Sequence, residues 1–263
     1  MTSTATPGTA LVTGSSSGIG RALAEVFAQH GHDLVLTARN AERLESLAAS
    51  LRNEHGVEVS CIVQDLSLPD AAQSLFDAVA ALGLEVDILV NNAGLGLYGP
   101  FHQRTLAEHQ ELIQVNVVAL TMLSHLFGER MVGRGRGRIL NVASTVAFLP
   151  GPMMASYFAS KAYVLRLSEA LQTELSGTGV TVTCLCPGLT ESRFHERSGL
   201  LGTHLLRFSQ ASAESVAKAA YRGCMAGRAV VLPGLRNRLV PLVERLLPRI
   251  AARRLIWAFM KRR

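Results

Sequence analysis

The 263-residue chain predicts a doubly wound α/β fold, a parallel sheet of about seven strands with helices on both faces. Two observations carry this. Short apolar runs alternate with longer segments of helical periodicity, the order a parallel sheet requires. The first run ends in a glycine-rich turn that opens directly into a helix, so the fold begins with a strand, a turn and a helix. With 48% hydrophobic residues the chain can fill one large core. No repeat, low-complexity tract or long linker divides it. Residues 1–235 read as one domain with a substrate lid at about 190–210, and residues 236–263 as a basic amphipathic extension.

Residues 10–13 form the first strand, which stops at Gly14, Ser15, Ser16, Ser17, Gly18, Ile19 and Gly20, and residues 21–30 are helical. Such a turn lets backbone N–H groups and the positive helix terminus meet a pyrophosphate. Its G-x-x-x-G-x-G spacing departs from the G-x-G-x-x-G fingerprint, so position rather than pattern argues for a nucleotide. The second strand, residues 33–39, ends in Ala38 and Arg39 where sites preferring NAD carry an acid on the ribose. A guanidinium there suits a 2′-phosphate, so the expected cofactor is NADP(H) in preference to NAD(H).

An amphipathic helix, 40–54, leads to a strand, 57–64, followed by Asp65, Leu66 and Ser67; Asp65 either contacts an adenine amino group or caps the next helix, 69–82. A fourth strand, 86–90, delivers Asn91, Asn92, Ala93 and Gly94 to the carboxyl edge, where such sheets bind ligands. Asn91 alternatively only ties strands together. A long helix, 105–131, carries Asn116 inside an apolar stretch, which calls for a helix distortion or a polar contact into the cleft. Strand 138–142 presents Ser144 at its end. Strand 180–185 delivers Pro187 and Gly188 to the same rim, and a core helix, 212–226, and closing strand, 229–232, follow.

Between those strands lies the chemistry. A helix over residues 155–175 puts Tyr157 and Lys161 on one face. A free phenol has a pKa of about 10, and a nearby cation lowers it; bringing it to about 7 takes about 4 kcal/mol. On this reading Lys161 acidifies Tyr157 for proton transfer.

Taken in order, Thr13-Gly14, Gly18-Ile19-Gly20, Asp65, Asn91-Asn92-Ala93-Gly94, Asn116, Ser144, Tyr157-x-x-x-Lys161 and Pro187-Gly188 resemble the short-chain dehydrogenase/reductases, ordinary short branch, over nearly the whole chain. The resemblance implies a Rossmann-like fold and an oxidoreductase moving hydride between NADP(H) and a carbonyl or secondary alcohol. It implies that Ser144 binds the substrate oxygen, Tyr157 transfers the proton, Lys161 holds the nicotinamide ribose, and Asn116 keeps a water on the proton relay. It also implies a cofactor seat of Gly14, Ser16, Ile19, Arg39, Asp65, Leu66, Asn92, Ala93, Gly94 and Pro187, with Thr190 and Ser192 reaching the nicotinamide amide or the phosphates. A homodimer or homotetramer packed through the helices carrying Asn116 and Tyr157 is a further expectation. The alternative is a dinucleotide-sensing binding protein, although sensors can lose the Ser, Tyr and Lys that this chain keeps.

On the substrate side Leu95, Leu97, Tyr98, Val146, Phe148 and Leu149 are expected, with Leu200, Leu201, Leu205 and Leu206 from a lid spanning residues 194–208. A lipophilic carbonyl or alcohol suits such a lining, though the same side chains could simply pack the lid. Four cysteines and eight scattered histidines give no metal-ligand spacing, and Cys184 and Cys186 read as buried strand residues. The first residues lack a signal-peptide pattern, so a cytoplasmic location is expected. The run 112–127 is short for a membrane span. The net charge of +6 does not indicate nucleic acid: nine Arg or Lys and one Glu between Arg236 and Arg263 leave the rest at −2, and Arg134, Arg136 and Arg138 sit in a glycine turn. The basic tail either touches an anionic membrane, packs on a partner subunit or roofs the cleft; Pro241 and Pro248 interrupt it and favour packing.

Overall fold

The apolar runs become seven parallel strands: β1 Thr9–Thr13, β2 Leu34–Ala38, β3 Val59–Val63, β4 Val86–Asn91, β5 Gly137–Val142, β6 Val180–Leu185 and β7 Val230–Val231, in the spatial order 3-2-1-4-5-6-7. The computed structural model describes residues 7–207, 209–242 and 248–261. Residues 1–6, Phe208, 243–247 and 262–263 lie outside the described residues, and with them part of the expected lid and tail.

Alternate residues of β1 serve opposite layers. Ala10 and Val12 join the core beneath α1 (Gly18–Gln29), α2 (Ala41–His55) and α8 (Ala213–Met225), while Leu11 joins the core on the other face. That second face is covered by α3 (Ala71–Ala81), the helical segment 106–133 and α6 (Ala155–Glu174). Burial on both faces explains why the strands read as continuous apolar runs rather than alternating ones.

Local chemistry fixes the ends. Asn40 accepts a hydrogen bond from the Arg43 N–H to start α2, and Gly56 closes it at φ +66. Thr105 and Glu108 cap one another where the helical segment from Leu106 begins. Helix α1 begins at Gly18, three residues earlier than expected, so the glycine turn supplies the helix's own first residues. The long helix is not continuous. α4 (Leu106–Ile113) passes through a π-helical turn at Gln114–Ala119 into α5 (Leu120–Gly133). By length and composition this segment could cross a membrane, but its Leu112, Leu120, Leu123, Phe127 and Met131 are buried in the core.

Buried amides stitch the middle of the sheet. Asn91 Nδ2 donates to Ser124 Oγ at 3.0 Å and to Asn141 Oδ1 at 2.9 Å, and Asn141 Nδ2 donates to Ser168 Oγ at 3.0 Å. Asn91 therefore ties β4 to β5. Arg134 and Arg136 pair with Glu85 and Asp87 at the opposite rim. Cys184 and Cys186 are fully buried, their sulfurs 3.8 Å apart.

The carboxyl-end loops carry a short helix α7 (Phe194–Arg197) and a 3-10 turn at His204–Arg207. The last helix, α9 (Arg249–Met260), lies against that turn: the Tyr98 hydroxyl donates to the Met260 carbonyl at 2.5 Å, and His204 N–H donates to the Lys261 carbonyl at 3.3 Å.

Candidate active site

A cleft of about 1440 Å³ opens along the carboxyl edge of the sheet, where the first two βα turns, the asparagine motif and the β5 and β6 ends meet. The glycine turn forms one end. Gly14 and Gly18 adopt φ +65 and +57, conformations open to residues without Cβ. A Cβ at Gly20 would sit 2.3 Å from the Gly14 carbonyl oxygen, so glycine there is what lets α1 approach the turn. Ser17 starts α1 with extended backbone and no side-chain cap, leaving the helix's N–H groups facing the cleft. Thr13 Oγ1 braces the opposite wall, accepting from the Asn92 and Ala93 N–H groups at 2.9 and 3.0 Å. Such a cradle fits a dinucleotide pyrophosphate.

Gly14, Ser16, Ser17, Gly18, Ile19, Gly20, Arg39, Asp65, Leu66, Asn92, Ala93, Gly94, Pro187, Gly188, Thr190 and Ser192 all line this cleft. Asp65 does not cap α3. Its carboxylate accepts from the Ser67 N–H and hydroxyl at 3.0 and 2.7 Å; burial opposes its charge, but Ser67 and the Arg39 guanidinium hold it below the usual carboxylate range. Arg39 pairs loosely with Glu111 at 3.5 Å. Three arginines that the sequence did not single out join it at the cleft wall: Arg43 from α2, and Arg193 and Arg197 at α7. Burial, then the charges of Arg193, Arg43 and Arg39, push the Arg197 guanidinium pKa down. Glu111 and Glu196 pair with Arg39 and Arg193 and offset part of this charge, which leaves a wall that attracts anions. The sequence positions of these arginines lie far apart, so only their assembly signals a site.

At the other end stand Ser144, Tyr157 and Lys161, each under a tenth exposed. Positions 157, 161, 164 and 168 of α6 all face inward, the spacing that put the phenol and the ammonium on one side. Lys161 Nζ donates to the Val142 carbonyl at 2.8 Å and lies 5.9 Å from the Tyr157 ring centre. Burial pushes the lysine pKa down to about 8, against the opposing influence of the Cys184 and Cys186 sulfurs. The same burial pushes the Tyr157 phenol up, and Ser144 is the group that draws it back. This direction is opposite to the expected acidification by Lys161: loss of water raises the phenol, and Ser144 rather than the lysine is the group that lowers it. Ser144 Oγ donates to the Pro187 carbonyl at 3.3 Å and accepts from Val146 N–H, which fixes it at the mouth of β5.

Asn116 sits behind the cleft wall rather than in it, inside the π turn. Its Oδ1 accepts from Leu95 N–H at 2.8 Å, and its Nδ2 donates to the Leu95 carbonyl and to Ser160 Oγ at 2.9 and 3.0 Å. Ser160 Oγ in turn donates to the Tyr157 carbonyl at 2.7 Å. A π turn frees backbone carbonyls near this amide. Ser160, directly before Lys161, is a link that the sequence reading passed over.

The substrate side differs from expectation. Leu95, Val146, Leu149, Leu200 and Leu205 line the cleft. Leu97 and Leu206 pack behind it, Tyr98 is buried with its hydroxyl on Met260, Phe148 packs against the β6 end, and Leu201 is 56% exposed. The remaining apolar lining comes from Met154, Phe158 and Phe194, and from Ile256, Phe259 and Met260 of α9. Tyr157 and Phe194 rings lie 5.3 Å apart. Asn237, just after β7, fills the space beside Gly188.

The sequence profile of the short chain dehydrogenases matches residues 8–199. A very-long-chain 3-oxoacyl-CoA reductase of Phaeosphaeria nodorum is 36% identical over 180 residues, 67% of this chain and 53% of that protein, so the chain spans about half the length of this relative. The structure of a short-chain dehydrogenase from Sphingobium yanoikuyae in complex with NADPH aligns over 95% of both chains, 36% identical, with a TM-score of 0.82. That of a short-chain dehydrogenase/reductase from Burkholderia phymatum in complex with NAD aligns over 91% of this chain and 92% of that one, 28% identical, with a TM-score of 0.80.

Proposed function

The chain belongs to the short-chain dehydrogenase/reductase family of oxidoreductases, and from that premise we propose that it reduces a lipophilic ketone or aldehyde at the expense of NADPH. The observation that carries the reading is one cleft with a phosphate cradle and four arginines at one end, and a buried Ser144, Tyr157 and Lys161 beside apolar walls at the other.

A bound nicotinamide supplies the hydride, or accepts it in the reverse direction. The protein's part is positioning and proton transfer. Ser144 holds the substrate oxygen. Tyr157 gives that oxygen its proton in reduction and takes it back in oxidation. Burial favours the protonated phenol, the form that donates when the carbonyl is reduced. Lys161, still mostly protonated at pH 7, offers its ammonium to the ribose hydroxyls and to the negative charge that grows on the phenol oxygen. Asn116 and Ser160 are positioning residues: their hydrogen bonds hold the Leu95 backbone and the α6 turn carrying Tyr157.

The preference for NADP(H) is supported by Arg39, Arg43, Arg193 and Arg197 sharing one wall, with Ala38 rather than an acid at the end of β2. Relatives cocrystallised with NADPH and with NAD both exist, so the arginines and not the family decide the proposal. The apolar lining from Met154, Phe158, Phe194 and α9 supports a lipophilic substrate, and the fatty-acyl relative is consistent with it. Turnover of ketones and aldehydes of increasing chain length, followed by NADPH absorbance, tests the reading. Rates that peak on short hydrophilic carbonyls, or run faster with NADH, refute it.

A further inference from the structure

Helix α9 divides its side chains between two surfaces. Ala252, Ile256, Phe259 and Met260 follow one another at helical spacing and face the cleft and the lid. Ile250 and Trp257, exposed at 59 and 44%, lie together with the exposed Arg254, and Leu255, 45% exposed, flanks the buried stripe on its other side; Trp257 and Lys261 also border a hollow with Tyr98, Arg104 and Met153. The Lys261 ammonium lies 5.8 Å from the Trp257 ring centre. No acidic residue occurs between Arg249 and Met260. Just upstream, Leu235, Leu239 and Leu242 stand 79, 56 and 53% exposed, among the exposed Arg236 and Arg238. Of the fifteen exposed large apolar side chains among the described residues, six thus fall between Leu235 and Trp257, a concentration rather than the usual scatter.

Charge selects the occupant of this surface. The segment from Arg236 onward carries +8, and the rest of the chain −2. A second copy docked isologously would set +8 against +8, which repels. An anionic lipid surface meets both chemistries, since apolar side chains can enter the headgroup boundary while guanidinium groups stay on the phosphates, and a tryptophan beside a lysine suits that depth. The same segment also rims the cleft, through Leu235, Arg236, Val240, Ile256, Phe259 and Met260.

We propose that residues 235–242 and 249–261 rest on an anionic membrane surface and that a lipophilic substrate enters the cleft directly from the lipid. The entry route rests on the lipophilic-substrate reading above; the docking itself does not.

Trp257 is the chain's one tryptophan, so its emission reports this surface alone. Full-length enzyme is mixed with phosphatidylcholine vesicles, with or without about a third phosphatidylglycerol. With anionic vesicles at low salt, the emission shifts to the blue and the protein co-sediments; with neutral vesicles neither occurs. Raising the salt from 0.01 to 1 M releases the protein, as the screening length falls from about 30 to about 3 Å. The double substitution Arg253→Gln/Arg254→Gln lowers the partition coefficient about 25-fold, since each basic residue contributes about a factor of five. Ile250→Ser/Leu255→Ser also weakens sedimentation, and both variants keep wild-type turnover of a soluble ketone. Three results overturn the docking: no binding to anionic vesicles at low salt, equal binding to neutral ones, or Trp257 emission already blue-shifted in a vesicle-free dimer that Ile250→Ser/Leu255→Ser dissociates. Vesicle binding together with turnover of polar substrates only leaves the docking standing and removes the lipophilic reading. Turnover of lipophilic substrates without vesicle binding does the reverse.

Discussion

Replacing Lys161 by methionine should make the unliganded protein more stable at neutral pH while removing its activity. The ammonium is 4% exposed, and burial holds its pKa at about 8 against 10.5 in the unfolded chain. At pH 7 the folded protein therefore carries the charge at a cost of about 3 kcal/mol, since every tenfold weakening of proton binding is worth about 1.4 kcal/mol. Methionine fills similar volume without a charge. It forfeits the hydrogen bond to the Val142 carbonyl, about 1 kcal/mol. The net gain is about 2 kcal/mol, or roughly 4–8 °C in Tm for a chain of this size. The gain must fade with alkali. Between pH 8 and 10.5 the unfolded chain binds a proton that the folded one has released, so wild-type stability rises with pH across that window. Tyr157 adds to the pH dependence only above about pH 10, where the unfolded phenol ionises and the buried one does not, and there it lowers stability. By pH 9.5 the cost of the buried lysine falls to about 1.4 kcal/mol, and the variant's advantage over wild type all but disappears. Urea unfolding of both proteins without cofactor, at pH 7 and 9.5, measures it. A variant less stable than wild type at pH 7, or a pH-independent difference, would show that the ammonium is not the strained group inferred from its burial.

Tyr157→Phe should reduce turnover to near background while the NADPH Kd, read by fluorescence titration, stays within a few-fold; wild-type rates in this variant remove Tyr157 from proton transfer. Arg197→Ala should weaken NADPH binding about tenfold and leave NADH binding unchanged, because it deletes one charge-assisted contact to the 2′-phosphate; equal losses for both cofactors place Arg197 elsewhere. Arg39→Asp should shift the preference toward NADH, and an unchanged NADPH to NADH ratio of kcat/KM would contradict the cofactor reading. Gly20→Ala should cost about 3 kcal/mol or more in thermal unfolding, since its Cβ would meet the Gly14 carbonyl oxygen at 2.3 Å; an unaltered Tm means that the turn yields more readily than this packing implies.

Element order and the polar set on α6 were legible in the chain because each is a local pattern. Short continuous apolar runs named the strands and period-3.6 hydrophobicity the helices, and a separation of four residues was enough to bring Tyr157 and Lys161 to one wall. Glycines before a helix marked the cradle for the same reason. The break at Gln114–Ala119 was signalled only as a buried amide in need of partners, and Leu95 and Ser160 turned out to supply them.

Other features depend on parts of the chain that sequence distance keeps apart. Leu200 lines the cleft while its neighbour Leu201 faces solvent, a choice made by the turn and not by their identical side chains. Arg39, Arg43, Arg193 and Arg197 become one cluster only when the loops after β2 and β6 meet at the cleft. The direction in which the Tyr157 pKa moves follows the same logic. Sequence supplied a cation four residues away and hence an acidified phenol; the folded cleft supplied desolvation, which raises the phenol and lowers the lysine together. Local spacing thus determined that Tyr157 and Lys161 share a wall, and tertiary burial decided the charge each carries there, because the cost of a charge depends on the water it has lost and not on its place in the chain.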